Sequence, residues 1–550
     1  MKKIIFTFKF IRPYIIKFKL LFFIILTFTV MTSLINLAMP KLFQHILDNG
    51  VIASNKKNVV ILGSIILALY ILNSIISYFS NILYNKISIN FIASLKKDVC
   101  QHVLSLPITF FDENQTGYLI SRLDEIDSIS IIFSSVIFNF ITSTLTTIGA
   151  IIVLINKSVP LLLATLAFGI PFYLISRYSM SAISNHSLEI MEMQAKTNGQ
   201  LQESFQGIFD IKQTNAEEKN SQSISDLISA TAKKLFVRSK LSSLGSEGII
   251  LVLNLASTVL TILVAIYIIN GSLSIGSFVS LTKYSMLIYA PIQQLSVFSI
   301  TIQPGIVALE RVNSILNIDC EKSISNSSVE EINSIRLVDL SFKYNFTDSI
   351  INNVNLTLNC GDNIVITGPN GSGKSTLAKL ILGFYDSYAG SIFINDKELR
   401  TLNKKSLRNK ISIVSQKIFL FSGTIEENIK LGDSNISDSD LNSLCDIFKD
   451  NLFESEFRNS FKIIDGGKNL SGGQIQKIAI ARAILRKPDI IIFDEASSNI
   501  DSVAKEFLNS IISTVFEEKI CIIITHDASI INSTLNNKVF RIEDKRLVQL

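Results

Sequence analysis

Apolar, uncharged runs recur through the first three hundred residues, at Leu20–Pro40, Asn58–Asn85, Ser128–Asn156, Ser158–Ser176, Gly248–Thr282 and Tyr284–Leu309. A helix rises about 1.5 Å per residue, so about 20 residues cross a hydrocarbon core roughly 30 Å thick. The runs predict six membrane helices, with the polar NGSLSIG at Asn270–Gly276 as the turn between the last two. Those at Asn58 and Ser128 reach about 28 residues, or some 42 Å, and are expected to continue beyond the bilayer. The turns on one side are short, as at Asn156–Lys157–Ser158, whereas two long excursions, Lys86–Asp127 and Arg177–Glu247, lie opposite. These carry Lys86, Lys96, Lys97, Arg122, Lys196, Lys212, Lys233, Lys234 and Arg238, and flanking positive charge marks the cytoplasmic side. Both excursions and both termini are therefore expected inside. In the first, Pro107 and Gly117 read as breakers around a short amphipathic piece; in the second, Phe205, Ile208 and Ile211 stand at helical spacing within Gln202–Lys219.

The pattern changes at NIDCEKSISNSSVEEINS, a polar stretch over 317–334 that reads as a linker. Beyond it the period becomes that of an α/β domain. Strands are expected near Ile335–Tyr344, Ile351–Leu358, Asn363–Thr367, Lys410–Ser415, Ile490–Glu495 and Ile520–Thr525. The fold class is thus a membrane α-helical bundle over 1–316 fused to an α/β domain over 335–550.

Composition supports that division. A mean hydropathy of +0.40 with 18% charged residues is too apolar for a soluble chain of 550 residues. The net charge of +5 falls mainly beside the apolar runs, which suits anionic lipid headgroups and gives no reason to expect nucleic acid. Ile4–Phe18 is basic and aromatic and is expected along the cytoplasmic membrane face. The first run is longer than a signal-peptide core, and no small-residue cleavage site comes after it. Cys100, Cys320, Cys360, Cys445 and Cys521 are widely spaced, without the pairing of a metal or disulfide framework.

Candidate chemistry centres on Gly368, Pro369, Asn370, Gly371, Ser372, Gly373, Lys374, Ser375 and Thr376. They fit G-x-x-x-x-G-K-[ST] between an apolar strand and an apolar helix, the context that a phosphate-cradling loop requires, so the α/β domain fused to the membrane bundle is expected to be a phosphate-loop (P-loop) nucleotide-binding domain. Lys374 adds a charge toward the phosphates and Ser375 a hydroxyl for Mg²⁺. Asp494 and Glu495 close a buried strand, placed to hold Mg²⁺ and to activate water. Leu470–Gln474 puts Ser471, Gly472, Gly473 and Gln474 at a helix start, a second anion site that one nucleotide in one chain does not need. Two copies facing head to tail would use it. His526, after the last apolar strand, is expected at the γ-phosphate. In the membrane half, Lys283 either reaches the outer headgroups or contacts cargo, and Gln293, Gln294 and Gln303 are expected to face the bundle interior.

Over nearly its whole length the chain resembles an ATP-binding cassette (ABC) exporter half-transporter. The resemblance implies that Tyr344 stacks on adenine, that 368–376 is the Walker A loop, and that Gln416 is the Q-loop glutamine at Mg²⁺. It makes Leu470–Gln474 the LSGGQ signature, Asp494 the Walker B aspartate, Glu495 the catalytic glutamate, Asp501 the D-loop aspartate and His526 the switch histidine. FFD at Phe110–Asp112 and the Gln202–Glu218 region resemble the two intracellular loops of exporters. The resemblance further implies a homodimer in the bacterial plasma membrane that hydrolyses ATP with Mg²⁺ and exports an amphipathic substrate, foremost a small microcin- or bacteriocin-like peptide. A lipid or multidrug exporter is the alternative, and a non-transporting regulatory subunit is the alternative of another class. No peptidase-like segment precedes the membrane half, so leader cleavage is not expected.

Overall fold

A computed structural model describes residues 10, 12–14, 16–114, 116–321, 328–344, 348–431, 433, 436–448, 450–464, 466–495, 509–526 and 538–550. They form two compact units, Met1–Leu104 with Gln115–Ile318, and Ser105–Asn114 with Asp319–Leu550.

The first unit is helical. Its long helices are α1 (Lys19–Ile46), α2 (Lys56–Leu104), α3 (Ser135–Lys157), α4 (Val159–Gln206), α5 (Glu217–Ile269) and α6 (Ile275–Leu316). Among the described residues, α1 to α5 each contain a stretch long and apolar enough to cross a membrane. The run at Ser128 does not continue as one helix. Tight 3₁₀ turns occupy Ile126–Phe133, and α3 starts afresh behind Ser134, whose Oγ accepts the Val136 N–H at 3.4 Å. Length beyond the bilayer comes instead from α2, α4 and α5, with 49, 48 and 53 residues. Charged residues end the apolar runs of α4 and α5 but are good helix formers, so the helices persist. Pro107 does break the chain, as N-cap of the short helix Ile108–Glu113. Gly117 does not: it sits in the first turn of Thr116–Glu125, where N–H groups have no intrahelical partner to lose.

Close approach holds these helices together. A Cβ at Gly245 on α5 would run into Ser179 Oγ on α4, so only glycine permits the observed packing. Tyr14 packs edge-on to Phe91 at 5.2 Å and donates its hydroxyl to Asp98 at 2.6 Å, tying the basic N-terminal segment to α2. A π-helical segment, Leu47–Ile52, continues α1. Its Asp48 accepts the Gly276 N–H at 2.7 Å and the Ser274 hydroxyl at 2.6 Å, capping the start of α6.

The second unit contains β1 (Ser334–Phe342), β2 (Ile351–Asn359), β3 (Asn363–Thr367), β4 (Ala389–Ile394), β5 (Lys397–Glu398), β6 (Ile411–Val414), β7 (Gly423–Thr424), β8 (Lys462–Ile463), β9 (Ile490–Asp494), β10 (Ile520–Ile524), β11 (Lys538–Glu543) and β12 (Arg546–Gln549). An antiparallel sheet is ordered β2-β1-β4-β5, and the larger sheet β12-β11-β3-β10-β9-β6. Strands β11, β3, β10, β9 and β6 run parallel to one another, and β12 pairs antiparallel to β11. Side chains alternate between two cores: Ile364, Ile366, Ile490, Ile492, Ile520, Ile522 and Ile524 enter one; Val365, Ile491, Phe493, Cys521 and Ile523 enter the other. Burial on both faces explains why these strands read as unbroken apolar runs. The segment Ser105–Asn114 belongs to this unit, with Ile108 packed against the first core.

Candidate functional site

In the parallel sheet the carboxyl ends of β3, β10, β9 and β6 come together. Register sets Ile366, Ile524 and Asp494 side by side across β3, β10 and β9. Each chain leaves its strand at one edge, so the loop after β3, Glu495 after β9, His526 after β10 and Gln416 beyond β6 converge there. The loop wraps the start of the helix Lys374–Ile381, where Gly373 has φ 103°, left-handed backbone that favours glycine. A Cβ there would also lie 2.8 Å from Ile350 Cγ2.

The cavity formed, about 470 Å³, is lined by Ile350, Asn370, Gly371, Gly373, Lys374, Ser375, Thr376, Gln416 and Glu495. Lys374 Nζ donates to the carbonyls of Gly368 at 2.9 Å and Pro369 at 3.0 Å. Ser375 Oγ donates to Asp494 Oδ1 at 3.0 Å, and Gln416 Nε2 donates to Glu495 Oε2. His526 Nε2 is 3.1 Å from Glu495 Oε1. Burial lowers the Lys374 pKa, against the opposing pull of Glu495 and Asp494, and burial raises that of Asp494. Cation and carboxylates share one poorly solvated place.

The residues present suit a bound nucleotide. Ser372 Oγ is buried without a hydrogen-bond partner among the described residues, and a Cβ at Gly371 would meet nothing within 4 Å, so the loop has both an unused polar group and open space. Tyr344 lies beside the loop, its hydroxyl 3.2 Å from Thr376 Oγ1. Ser375, Asp494 and the Gln416 amide offer the oxygen donors that a hard divalent cation prefers.

Ser471–Gln474 stands elsewhere: among the described residues none of the four lines the cavity. Ser471 caps the helix Gly472–Leu485 in a reciprocal box, accepting the Gln474 N–H at 3.2 Å while Gln474 Oε1 accepts the Ser471 N–H at 2.9 Å. Asp501 lies outside the described residues. Lys283 Nζ sits 3.7 Å over the Phe43 ring, a cation–π contact that neither expected role included. Gln293 is exposed and Gln294 half-buried; the Gln303 side chain lies outside the described part of α6. Sequence reasoning missed Ile350, which no motif marks, and the pairing of Asp112 with Tyr385, whose hydroxyl donates to Asp112 Oδ2 at 2.6 Å.

Residues 22–292 match the family pattern described as ABC transporter transmembrane region, and residues 351–498 that described as ABC transporter. The lactococcin-G-processing and transport ATP-binding protein LagD of Lactococcus lactis subsp. lactis is 31% identical over 503 residues, covering 89% of this chain and 70% of LagD. The chain belongs to the ABC transporter family. An uncharacterized ABC transporter ATP-binding protein of Bacillus subtilis, YfiC, is 28% identical over 94% of this chain and 86% of its own. The ATP-bound structure of a bacterial Atm1-family ABC exporter shares the fold, with a TM-score of 0.84 at 20% identity over 98% of this chain and 94% of that one. With membrane and nucleotide-binding parts in one polypeptide, this ABC transporter is a half-transporter of exporter type, an ATP-hydrolysing membrane protein.

Proposed function

We propose that this ABC transporter works as a homodimer, exporting an amphipathic cargo across the bacterial plasma membrane by alternating access, with its nucleotide-binding unit and both termini in the cytoplasm. The observation that carries the reading is the separation of Ser471–Gln474 from a cavity already furnished with Lys374, Ser375, Asp494, Glu495 and His526. A helix start with its own capped serine and two exposed or half-exposed glycines suits an anion supplied by a second copy.

Within each site, Lys374 and the backbone of 368–376 hold the phosphates, and Tyr344 takes the base. Mg²⁺ would be held by Ser375, Gln416 and Asp494, and there it would neutralise phosphate charge. Glu495 orients and deprotonates the attacking water, while His526, already beside Glu495, positions the γ-phosphate. The partner copy's signature and Asp501 complete the closure. On separately tagged copies in a background lacking the native cysteines, Ser375→Cys and Ser471→Cys should crosslink in trans on oxidation. Crosslinks forming solely within single polypeptides would sink the shared site.

The cargo reading, a small bacteriocin- or microcin-like peptide, draws support from LagD, whose name records processing and transport of lactococcin G. Lys283 and the amides of Gln293, Gln294 and Gln303 are the proposed cavity contacts. Purified protein in nanodiscs should show ATPase stimulation by amphipathic bacteriocin-like peptides above that by lipid A precursors or lipophilic dyes. Stimulation by the lipids alone would replace the peptide reading with the flippase reading.

A further inference from the structure

A cavity of about 600 Å³ opens in the first unit, where the segment 10–17 meets α2 and the end of α6. ATP hydrolysis makes no use of it. Phe10, Pro13 and Tyr14 give it an apolar wall, and Lys17 and Asp98 add one charge of each sign. An apolar lining with a few placed polar groups, at roughly 300–1,000 Å³, is the ordinary make-up of a small-molecule site. Lys17 Nζ lies 5.7 Å from the centre of the Tyr14 ring, and Tyr14 donates its hydroxyl to Asp98 Oδ2 at 2.6 Å. Among the described residues, the two charges form no ion pair with each other.

Each charge has capacity left. An ionised carboxylate accepts about four hydrogen bonds, and Tyr14 supplies one of them to Asp98. An ammonium has three donors, and the contact of Lys17 with the Tyr14 ring uses none of them on an acceptor. Asn317, which ends α6, lines the same cavity, and a helix C-terminus favours a cation. One side of the cavity therefore suits an anion, at Lys17, and the other a cation, at Asp98 and Asn317. Lys17 adjoins the apolar run that starts at Leu20, whereas Asp98 stands on α2 past the run that ends at Asn85. Phosphate near the bilayer and positive charge farther out is the order of groups in a zwitterionic phospholipid.

We propose that this cavity holds the headgroup of phosphatidylethanolamine, its phosphate at Lys17 and its ammonium at Asp98 and the end of α6. The primary ammonium can donate to the carboxylate and to the free carbonyls of a helix end. The trimethylammonium of phosphatidylcholine has no N–H to donate, and phosphatidylglycerol has no cation at all. A lipid seated there touches both Lys17 and Asp98, and so fastens the N-terminal segment to α2. Neither the identity of the cargo nor the choice of leaflet enters this assignment.

The test titrates the full chain in detergent with phosphatidylethanolamine, phosphatidylcholine or phosphatidylglycerol of matched acyl chains, and reads lipid retention by native mass spectrometry. Phosphatidylethanolamine should bind about tenfold or more tightly than either of the others, the weight of one charge-assisted hydrogen bond. Asp98→Asn keeps an oxygen for the Tyr14 hydroxyl and should erase that preference. Lys17→Gln should weaken phosphatidylethanolamine and phosphatidylglycerol alike and leave their ratio in place. Both variants should keep basal ATP hydrolysis, which shows that the fold is intact. Equal retention of the three lipids by the wild-type chain, or an undiminished preference in Asp98→Asn, would overturn the assignment. Tighter retention of phosphatidylglycerol would overturn it too, and would make this face a basic surface for anionic lipid.

Discussion

Replacing Glu495 by Gln is expected to slow ATP hydrolysis by about 10²–10⁴ while ATP binding persists, because the change removes the proposed general base. Glu495 holds left-handed backbone at φ 51°, and its N–H donates to the Ile524 carbonyl at 2.8 Å. Glutamine has the same length and branching, so it tolerates that conformation about as well and keeps the main-chain bond. What it loses is the negative oxygen that could take a proton from water. Phosphate release by the purified protein, measured beside equilibrium nucleotide binding, separates the two effects. Undiminished hydrolysis in the variant would remove Glu495 from the chemistry and point to another base.

Lys374→Met should have the next largest consequence, a loss of ATP affinity on the order of 10-fold to 100-fold, since charge-assisted hydrogen bonds contribute about 1.5–3 kcal/mol. Methionine fills most of the volume of a residue that is only 5% exposed, so the helix Lys374–Ile381 should keep its packing. The carbonyls of Gly368 and Pro369 lose their donor, and the carboxylates of Asp494 and Glu495 lose the cation that faces them. Titration with a fluorescent ATP analogue reads the change directly. Wild-type affinity in this variant would mean that main-chain N–H groups alone hold the phosphates.

The parts of the fold that were legible are those whose periodicity is local. Asn363–Thr367 emerged with the bounds expected, and Ile490–Asp494 and Ile520–Ile524 each within one residue, because strands buried on both faces leave uninterrupted apolar runs. The flanks of the loop 368–376 were legible too, and it does join the strand Asn363–Thr367 to the helix Lys374–Ile381. Helix ends were harder. In α4 and α5 the apolar signal stops where the bilayer would, whereas the helix continues on Glu, Lys, Gln and Ala, which favour helix without any apolar period. At Ser128 the reverse holds: composition continues, but Ser134 supplies a cap and the chain restarts. Tyr385 was illegible for another reason. Its neighbours Asp112 and Tyr344 come from two distant parts of the chain, and no spacing rule joins them.

One consequence of α5 concerns mechanics. Its 53 residues contain no proline, and at about 1.5 Å per residue they extend roughly 80 Å. A tether conveys only tension, but a continuous ladder of main-chain bonds also resists bending and torsion. Rotation imposed at Glu217 is therefore opposed along a ladder that no proline interrupts before Ile269.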